Sequence, residues 1–533
     1  MKAFQATQCS LPTDKNSARE LSDAYFRTIH LIYPFLHKPT HQRLIEHVYE
    51  TPEPSPVARF QVTMVLSISA IILSRRSRVD LPAAAWCAAA LEHFAHVQVE
   101  GSLHGLQCLL LILIYAMHSS SSRFSAWHIN YQCLAMVLDL GLQRDPPDTA
   151  SLSQFQREMR TRIFMSVYSL DRKLATMMGR PIGLRDEACD LRVSYIARCN
   201  DVPNLTMTSQ LPANLDDDAL EQGCTPFGPG NGPTHIDYAV HFFRLATMNS
   251  EVKYVLHSVQ RNTPSYAYAP VRDIIQWQDA MKIRLDDWLS NIPQSSAEPT
   301  DYGAALCKIH YHTLKMSLLL PTPGIPNPRG ECWHSCYETS IDAIRLFDEL
   351  YATDMLTYDW STCHAVILHA FCLLYCATAV PQIADKVCRD SVLDGLRAAG
   401  NILSATGEYW AGAKRTRDLL EDLAGKALHQ IQPPPQDSHA AAYRRRAATH
   451  EMQPDVSMSY SPSMHLAGNV PSAEAQWQQP SQTDPFMGLF GSLGGSDGTA
   501  GLDYGAFELG NLFADAVDFS RGNGYLETFD FSL

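Results

Sequence analysis

The segment Leu106 to Met117 is apolar on nearly every side, and a helix of that kind is stable in water only where other helices surround it. Its longest purely aliphatic run, Leu109 to Ile114, falls far short of the ~20 residues of a membrane span. The segment is therefore expected at the centre of a soluble core, with Ser102 capping its start. Whatever fold the chain adopts must supply enough amphipathic helices to enclose it.

The flanking sequence supplies them. Apolar residues recur at spacings of three and four from about Leu21 to Gln432, the helical period. Arg59 to Leu73 carries Phe60, Met64, Ser67, Ile68, Ile71 and Ile72 on one side, and Pro82 precedes a helix over Ala83 to Val99. Helices follow over Ser125 to Leu140 and Ser153 to Met178, ended by Gly141 and Gly179. The second carries Phe155, Met159, Ile163, Val167, Leu170, Leu174 and Met177 on one stripe, and Glu158 can pair with Arg162 one turn on. Further helices are expected over His235 to Val259, Ile274 to Leu289, Ala304 to Leu320, Trp333 to Leu350, Cys363 to Val380, Ser391 to Trp410 and Thr416 to Ile431. Strand patterns are sparse and no repeat period is evident. The expectation is an all-α, irregular multi-helix bundle over residues 21–432, interrupted by a long aperiodic loop over residues 186–232 that includes Asp216, Asp217 and Asp218.

Residues 1–20 and everything after Pro433, Pro434 and Pro435 read differently, as disordered segments flanking the bundle. The later segment is rich in Ser, Gln, Pro, Gly and Ala, which bury too little apolar area to offset chain entropy. It divides into a low-complexity linker, residues 433–483, and a terminal segment, residues 484–533. There Phe507, Phe513, Phe519, Phe529 and Phe531 are interspersed with Asp503, Glu508, Asp515, Asp518, Glu527 and Asp530. Acidic neighbours keep such aromatic side chains solvated and available, as in disordered activation segments. Arg444, Arg445 and Arg446 offer a nuclear-import signal or a solvated basic run.

At 533 residues with a formal net charge of −14, the chain is long enough for more than one packed unit and wrongly charged for coating phosphate nonspecifically. Its 14 cysteines stand singly in apolar surroundings, as in a reducing compartment without disulfides, and the N-terminal residues lack a secretory pattern.

The stretch from Ala126 to Pro146, ending in Leu140-Gly141-Leu142 then Arg144-Asp145-Pro146, is followed by Arg157-Glu158-Met159-Arg160, Ser169-Leu170-Asp171-Arg172 and Gly179-Arg180-Pro181. With Trp127 near its start, this combination resembles the middle homology region of fungal zinc-cluster transcription factors, and Ala24 to His41 looks like that family's entry segment. The resemblance implies a nuclear regulator of transcription, specific to a secondary-metabolite or catabolic gene cluster, free to act as a homo- or heterodimer and to recruit the transcription machinery or a co-activator through its tail. It assigns structural roles to Trp127, Gly141, Arg144, Asp145, Asp171, Arg172, Gly179, Arg180 and Pro181, with Asp171 and Arg180 read as surface charges. The six-cysteine zinc array of the family's DNA reader is not in this sequence. The reader is thus either lost or encoded upstream of Met1, and the alternative is a co-regulator that acts through another zinc-cluster protein.

Catalytic and metal-binding patterns are not found. His93 and His96 follow Glu92 without the HExxH arrangement, His364 and His369 read as core residues, and Cys332, Cys336, Cys372 and Cys376 stand at helical spacing in apolar segments. No phosphate-cradling or dinucleotide glycine loop occurs, and Ser492 lacks the nucleophile-elbow context. No cofactor, metal or enzymatic activity is expected, an enzyme on a helical bundle being the remote alternative. Arg75, Arg76 and Arg78 read as cations at a helix C-terminus. A helical core with a long flap has room for a small molecule, but the sequence names no residue for it.

Overall fold

In the computed structural model, residues 11–122, 124–146, 151–189, 211–213, 215–223, 234, 236–257, 271–293, 301–380, 383 and 389–431 are described. The linker, the acidic-aromatic segment and Arg444 to Arg446 lie outside them.

Short polar residues set most of the helix starts. The side chains of Asp14, Ser55, Ser102, Ser125, Ser153, Asp273, Asp301 and Asp359 each accept a backbone N–H of the first turn they precede, satisfying donors that have no partner within the helix. Ser153 and Gln156 complete a reciprocal capping box. The helices are α1 (Lys15–Phe26), α2 (Lys38–Glu50), α3 (Pro56–Ser77), α4 (Ala83–Phe94), α5 (Leu103–His118), α6 (Ala126–Asp139), α7 (Gln154–Met177), α8 (Asp217–Glu221), α9 (Ile236–His257), α10 (Ile274–Ser290), α11 (Tyr302–Leu319), α12 (Gly330–Ala352), α13 (Trp360–Ala379), α14 (Arg389–Gly407) and α15 (Ala411–Ile431). Among the described residues no strand occurs, so the all-α expectation holds.

α5 is central, as its composition requires: Leu106 and every residue from Cys108 to His118 is buried. It packs against α3 and α6 and reaches α7 and α13. α3 packs against α1, α2 and α4; α9, α10 and α11 lead to the pair α12 and α13; α14 and α15 cover α12 and α13. One connected apolar cluster runs from Tyr25 to Leu420, where chain length suggested separate units. α3 and most of α13 are long and apolar enough to cross a membrane by length and composition, yet both are mostly buried in the bundle. Ser, Thr and His residues broke up their aliphatic runs in the sequence.

Several expectations need correction. α1 begins at Lys15, inside the segment expected to be disordered. α4 stops at Phe94, five residues before the expected end. The loop over residues 186–232 contains a 3-10 turn, Asp186–Ala188, and the short helix α8, which starts within the three aspartates. α7 is buried all round from Arg162 to Arg172 rather than on one stripe. Arg75 and Arg76 stand in the last turn of α3, as expected of cations at a helix C-terminus, and in addition donate to the carbonyls of Tyr358 and Met355 and lie over the rings of Tyr409 and Tyr302, so they clasp the α12–α13 connection.

Two predictions arise from this packing. Gly105 sits in the first turn of α5 where an added Cβ would collide with the backbone of Val99. Gly105→Ala is expected to destabilise the fold by about 1–3 kcal/mol in urea denaturation, although alanine favours helix. The second concerns His41, His310 and His369, which burial pushes down to about 3. Each stays neutral in the fold but protonates in the unfolded chain near pH 6.5. The stability they confer is complete above that pH and is lost as pH falls from about 6.5 toward 3, by roughly 1.4 kcal/mol per pH unit per histidine. Denaturation midpoints measured between pH 8 and 5 should fall on the acid side, and a flat profile would contradict this.

Candidate functional site

Two arginines on α7 lie fully buried, and charges so placed require partners. Arg162 donates to Glu158 at 3.0 Å, to Asp217 at 2.5 Å and to the carbonyl of Leu215 at 2.7 Å. Asp217 also accepts the backbone N–H of Lys38 at 2.7 Å and faces His30 at 3.3 Å, while its carbonyl lies 2.9 Å from His37 Nε2. Burial alone would raise the Asp217 carboxyl; His30, Arg162 and the Lys38 amide outweigh it and hold the group far below the usual range.

Ten residues further along α7, Arg172 bonds Asp171 at 2.9 Å, Asp186 at 2.6 Å and the Leu184 carbonyl, and lies 3.5 Å from the centroid of the Tyr168 ring. Asp171 accepts Asn130 Nδ2 at 3.0 Å and the Gly183 amide at 3.1 Å. Asp186 additionally accepts Tyr168 and Ser250 hydroxyls at 2.9 and 3.0 Å. This second network fastens α6, α7, α9 and the segment leaving α7, residues 183–186, into one corner.

Beside that corner lies a cavity of 150 Å³, lined by residues between α1 and α2 and by α5, α7, α9, α11, α12 and α13. Its walls are mostly apolar, but Tyr33, His118, Lys173, His310, Asp359 and His364 reach it. The Nδ1 atoms of His118 and His310 lie 2.8 and 3.1 Å from the carbonyls of Ile114 and Leu306. A carbonyl only accepts, so each Nδ1 carries the proton and each neutral ring keeps Nε2 as an acceptor. Burial keeps His118 below its usual range despite nearby Asp359, and His364 is pushed down to about 4 by burial. Burial would raise Asp359, but the Lys173 charge, the Thr362 amide and the Ser361 hydroxyl hold it low. The cavity therefore combines a carboxylate, a lysine and neutral imidazoles within an apolar shell.

The residues singled out from the sequence fall mainly around the corner. Gly141 and Gly179 both take positive φ, +62°. In each case the next residue's amide, Leu142 or Arg180, bonds back to Val137 or Ala175 at 2.9 Å, the Schellman arrangement. Trp127 packs against Tyr131, and the Arg180 guanidinium lies 4.8 Å from its ring centroid. Pro181, Arg144 and Asp145 are exposed. Asp171, read as a surface charge, is fully buried beside Arg172. His96 is exposed, and no group of three metal-binding side chains occurs among the described residues. Cys332, Cys336, Cys372 and Cys376 are free and buried, with Cys372 and Cys376 sulfurs 3.9 Å apart. Asp217 is named from the sequence only as part of the long loop, and neither His118 nor Asp359 is named at all. Asp359 left a trace as a helix cap two and three residues before Ser361 and Thr362; His118 left none.

A family model described as the fungal specific transcription factor domain matches residues 22–288. The chain is 19% identical over 515 residues to the positive regulator of purine utilization of Emericella nidulans, covering 78% of this chain and 47% of that protein. It is 24% identical over 440 residues to the transcriptional activator protein acu-15 of Neurospora crassa, covering 79% and 44%. To the transcription factor opdR of Penicillium oxalicum it is 32% identical over 193 residues, covering 34% and 24%. The chain spans about half the length or less of these relatives.

Removing one member of a buried ion network leaves the others uncompensated. Arg172→Met is expected to cost about 3–5 kcal/mol by urea denaturation, and Arg172→Lys to recover only part of it, since a lysine cannot reproduce the planar fork that reaches two carboxylates and a carbonyl. A loss under 1 kcal/mol for Arg172→Met would show that the network contributes little.

Proposed function

The chain belongs to the fungal specific transcription factor domain family, and on that premise we propose that it is a nuclear, pathway-specific regulator whose helical body controls an acidic-aromatic output segment. Its family consists of transcription regulators and not of enzymes. The observation that carries the reading is the domain match over residues 22–288, laid on a body whose conspicuous charges are used for internal pairing.

The finer parts rest on separate supports. Residues 484–533, with alternating phenylalanines and acids, have the composition of a segment that recruits the transcription machinery or a co-activator. Arg444, Arg445 and Arg446 serve nuclear import. A pathway-specific role agrees with the names of relatives such as the positive regulator of purine utilization and the pyrimidine pathway regulatory protein 1 of Saccharomyces cerevisiae. Residues 1–533 hold no six-cysteine array, so DNA contact falls to a zinc-cluster reader joined to this chain or bound by it, as a homo- or heterodimer.

Fusion of residues 484–533 to a heterologous DNA-binding domain should activate a reporter at least about tenfold, the effect of ~1.4 kcal/mol in recruitment. Replacing Phe507, Phe513, Phe519, Phe529 and Phe531 with alanine should return it to background. An inert fusion, or full activity after the replacements, would remove the tail from the proposal.

A further inference from the structure

Within the cavity, His118 and Asp359 face each other without a hydrogen bond between them. His118 is 4% exposed, ends α5 and spends its Nδ1 proton on the Ile114 carbonyl. Its Nε2 is buried without a hydrogen-bond partner and lies 3.6 Å from Asp359 Oδ2, too far for a hydrogen bond. Asp359 Oδ1 accepts the Thr362 amide at 2.7 Å and the Ser361 hydroxyl at 2.9 Å, capping α13, so the cap leaves Oδ2 turned to the imidazole. A neutral imidazole nitrogen and a carboxylate oxygen 3.6 Å apart are both acceptors and repel unless a donor stands at a point beside both, and Lys173, which lines the same cavity and acts on Asp359 through its charge, leaves His118 Nε2 without a hydrogen bond. A hydroxyl brings one proton to that point, whereas a primary amine or a carboxamide brings at least one for each acceptor.

The surrounding wall limits the rest of the ligand. Ile32, Ile114, Phe242 and Leu245 contribute apolar surface, and 150 Å³ is the size of an engineered cavity that accepts benzene. We propose that this cavity binds a small, largely apolar molecule of about ten heavy atoms bearing an N–H2 head group, which donates to both His118 Nε2 and Asp359 Oδ2. Occupation would bridge the C-terminus of α5 and the N-terminus of α13 by hydrogen bonds, where the two ends now only approach each other. Its use as an effector rests on the regulator reading; binding itself does not.

The test titrates the full chain with benzylamine, benzamide, benzyl alcohol and toluene by calorimetry, with imidazole nitrogen resonances followed in parallel. Benzylamine or benzamide should bind at least about tenfold more tightly than benzyl alcohol and toluene, about 1.4 kcal/mol, and should shift the His118 Nε2 resonance. Which of the two binds distinguishes a cationic from a neutral head group. His118→Leu should erase the preference for nitrogen, and Ala246→Trp, which fills the cavity, should abolish binding with helical circular dichroism retained. Toluene or benzyl alcohol binding as tightly as both nitrogen ligands, no binding by any of the four, or binding that leaves the His118 resonance unmoved would each overturn the proposal. The wild-type titration decides the matter even if a variant does not fold. Binding with an inert tail fusion would leave this inference standing and remove the regulatory one.

Discussion

Two guanidinium groups with no solvent contact, Arg162 and Arg172 on α7, impose the constraint on which the rest of the bundle depends. An unpaired buried charge is too costly to keep, so every segment that pairs with them must arrive in a fixed position. Arg162 dictates where Asp217 and the Leu215 carbonyl lie, and through Asp217 where His30, His37 and Lys38 lie. Arg172 similarly dictates the path from Gly183 to Asp186 and the placement of Asn130 and Ser250. A network of this kind adds less net stability than hydrophobic residues of similar volume would. What it supplies is register: an alternative packing of these apolar helices would strand several charges at once.

The helices were legible because their evidence is local. Ser102, Ser125 and Ser153 announce helix starts, Gly141 and Gly179 announce ends, and the period between them needs no knowledge of the rest of the chain. Boundaries drifted where tertiary packing overrides pattern, as at α4, whose apolar period continues to Val99 although the helix ends at Phe94. α7 was misread in a telling way. Its polar residues Arg162, Ser166, Ser169, Asp171 and Arg172 looked like a solvent face, and all are buried. A pattern of polar side chains cannot distinguish water from a partner carboxylate contributed by a distant segment.

The site was far less readable. His118 lies at the end of an apolar helix with nothing in its neighbourhood to mark it, and Asp359 reads simply as a cap. Their juxtaposition spans 241 positions in the sequence and is created only when α5 and α13 come together. The corner motif was legible as a resemblance, but its physical meaning was not: Asp171 and Arg172 are neighbours in sequence whose importance lies in what they gather from α6, α9 and the exit of α7.

Asp217 also has a temporal consequence. It completes the pairing of Lys38 and His37 from 179 and 180 positions away, so the first two helices cannot reach their final setting until that much more chain has been synthesised. At about 5–20 residues per second the delay is on the order of ten to forty seconds. Throughout that interval Phe26 and Phe35, both buried at the end in the cluster that runs on to Leu420, wait beside unfinished neighbours. The nascent protein is for that reason a natural client for chaperones that shield apolar surface during translation.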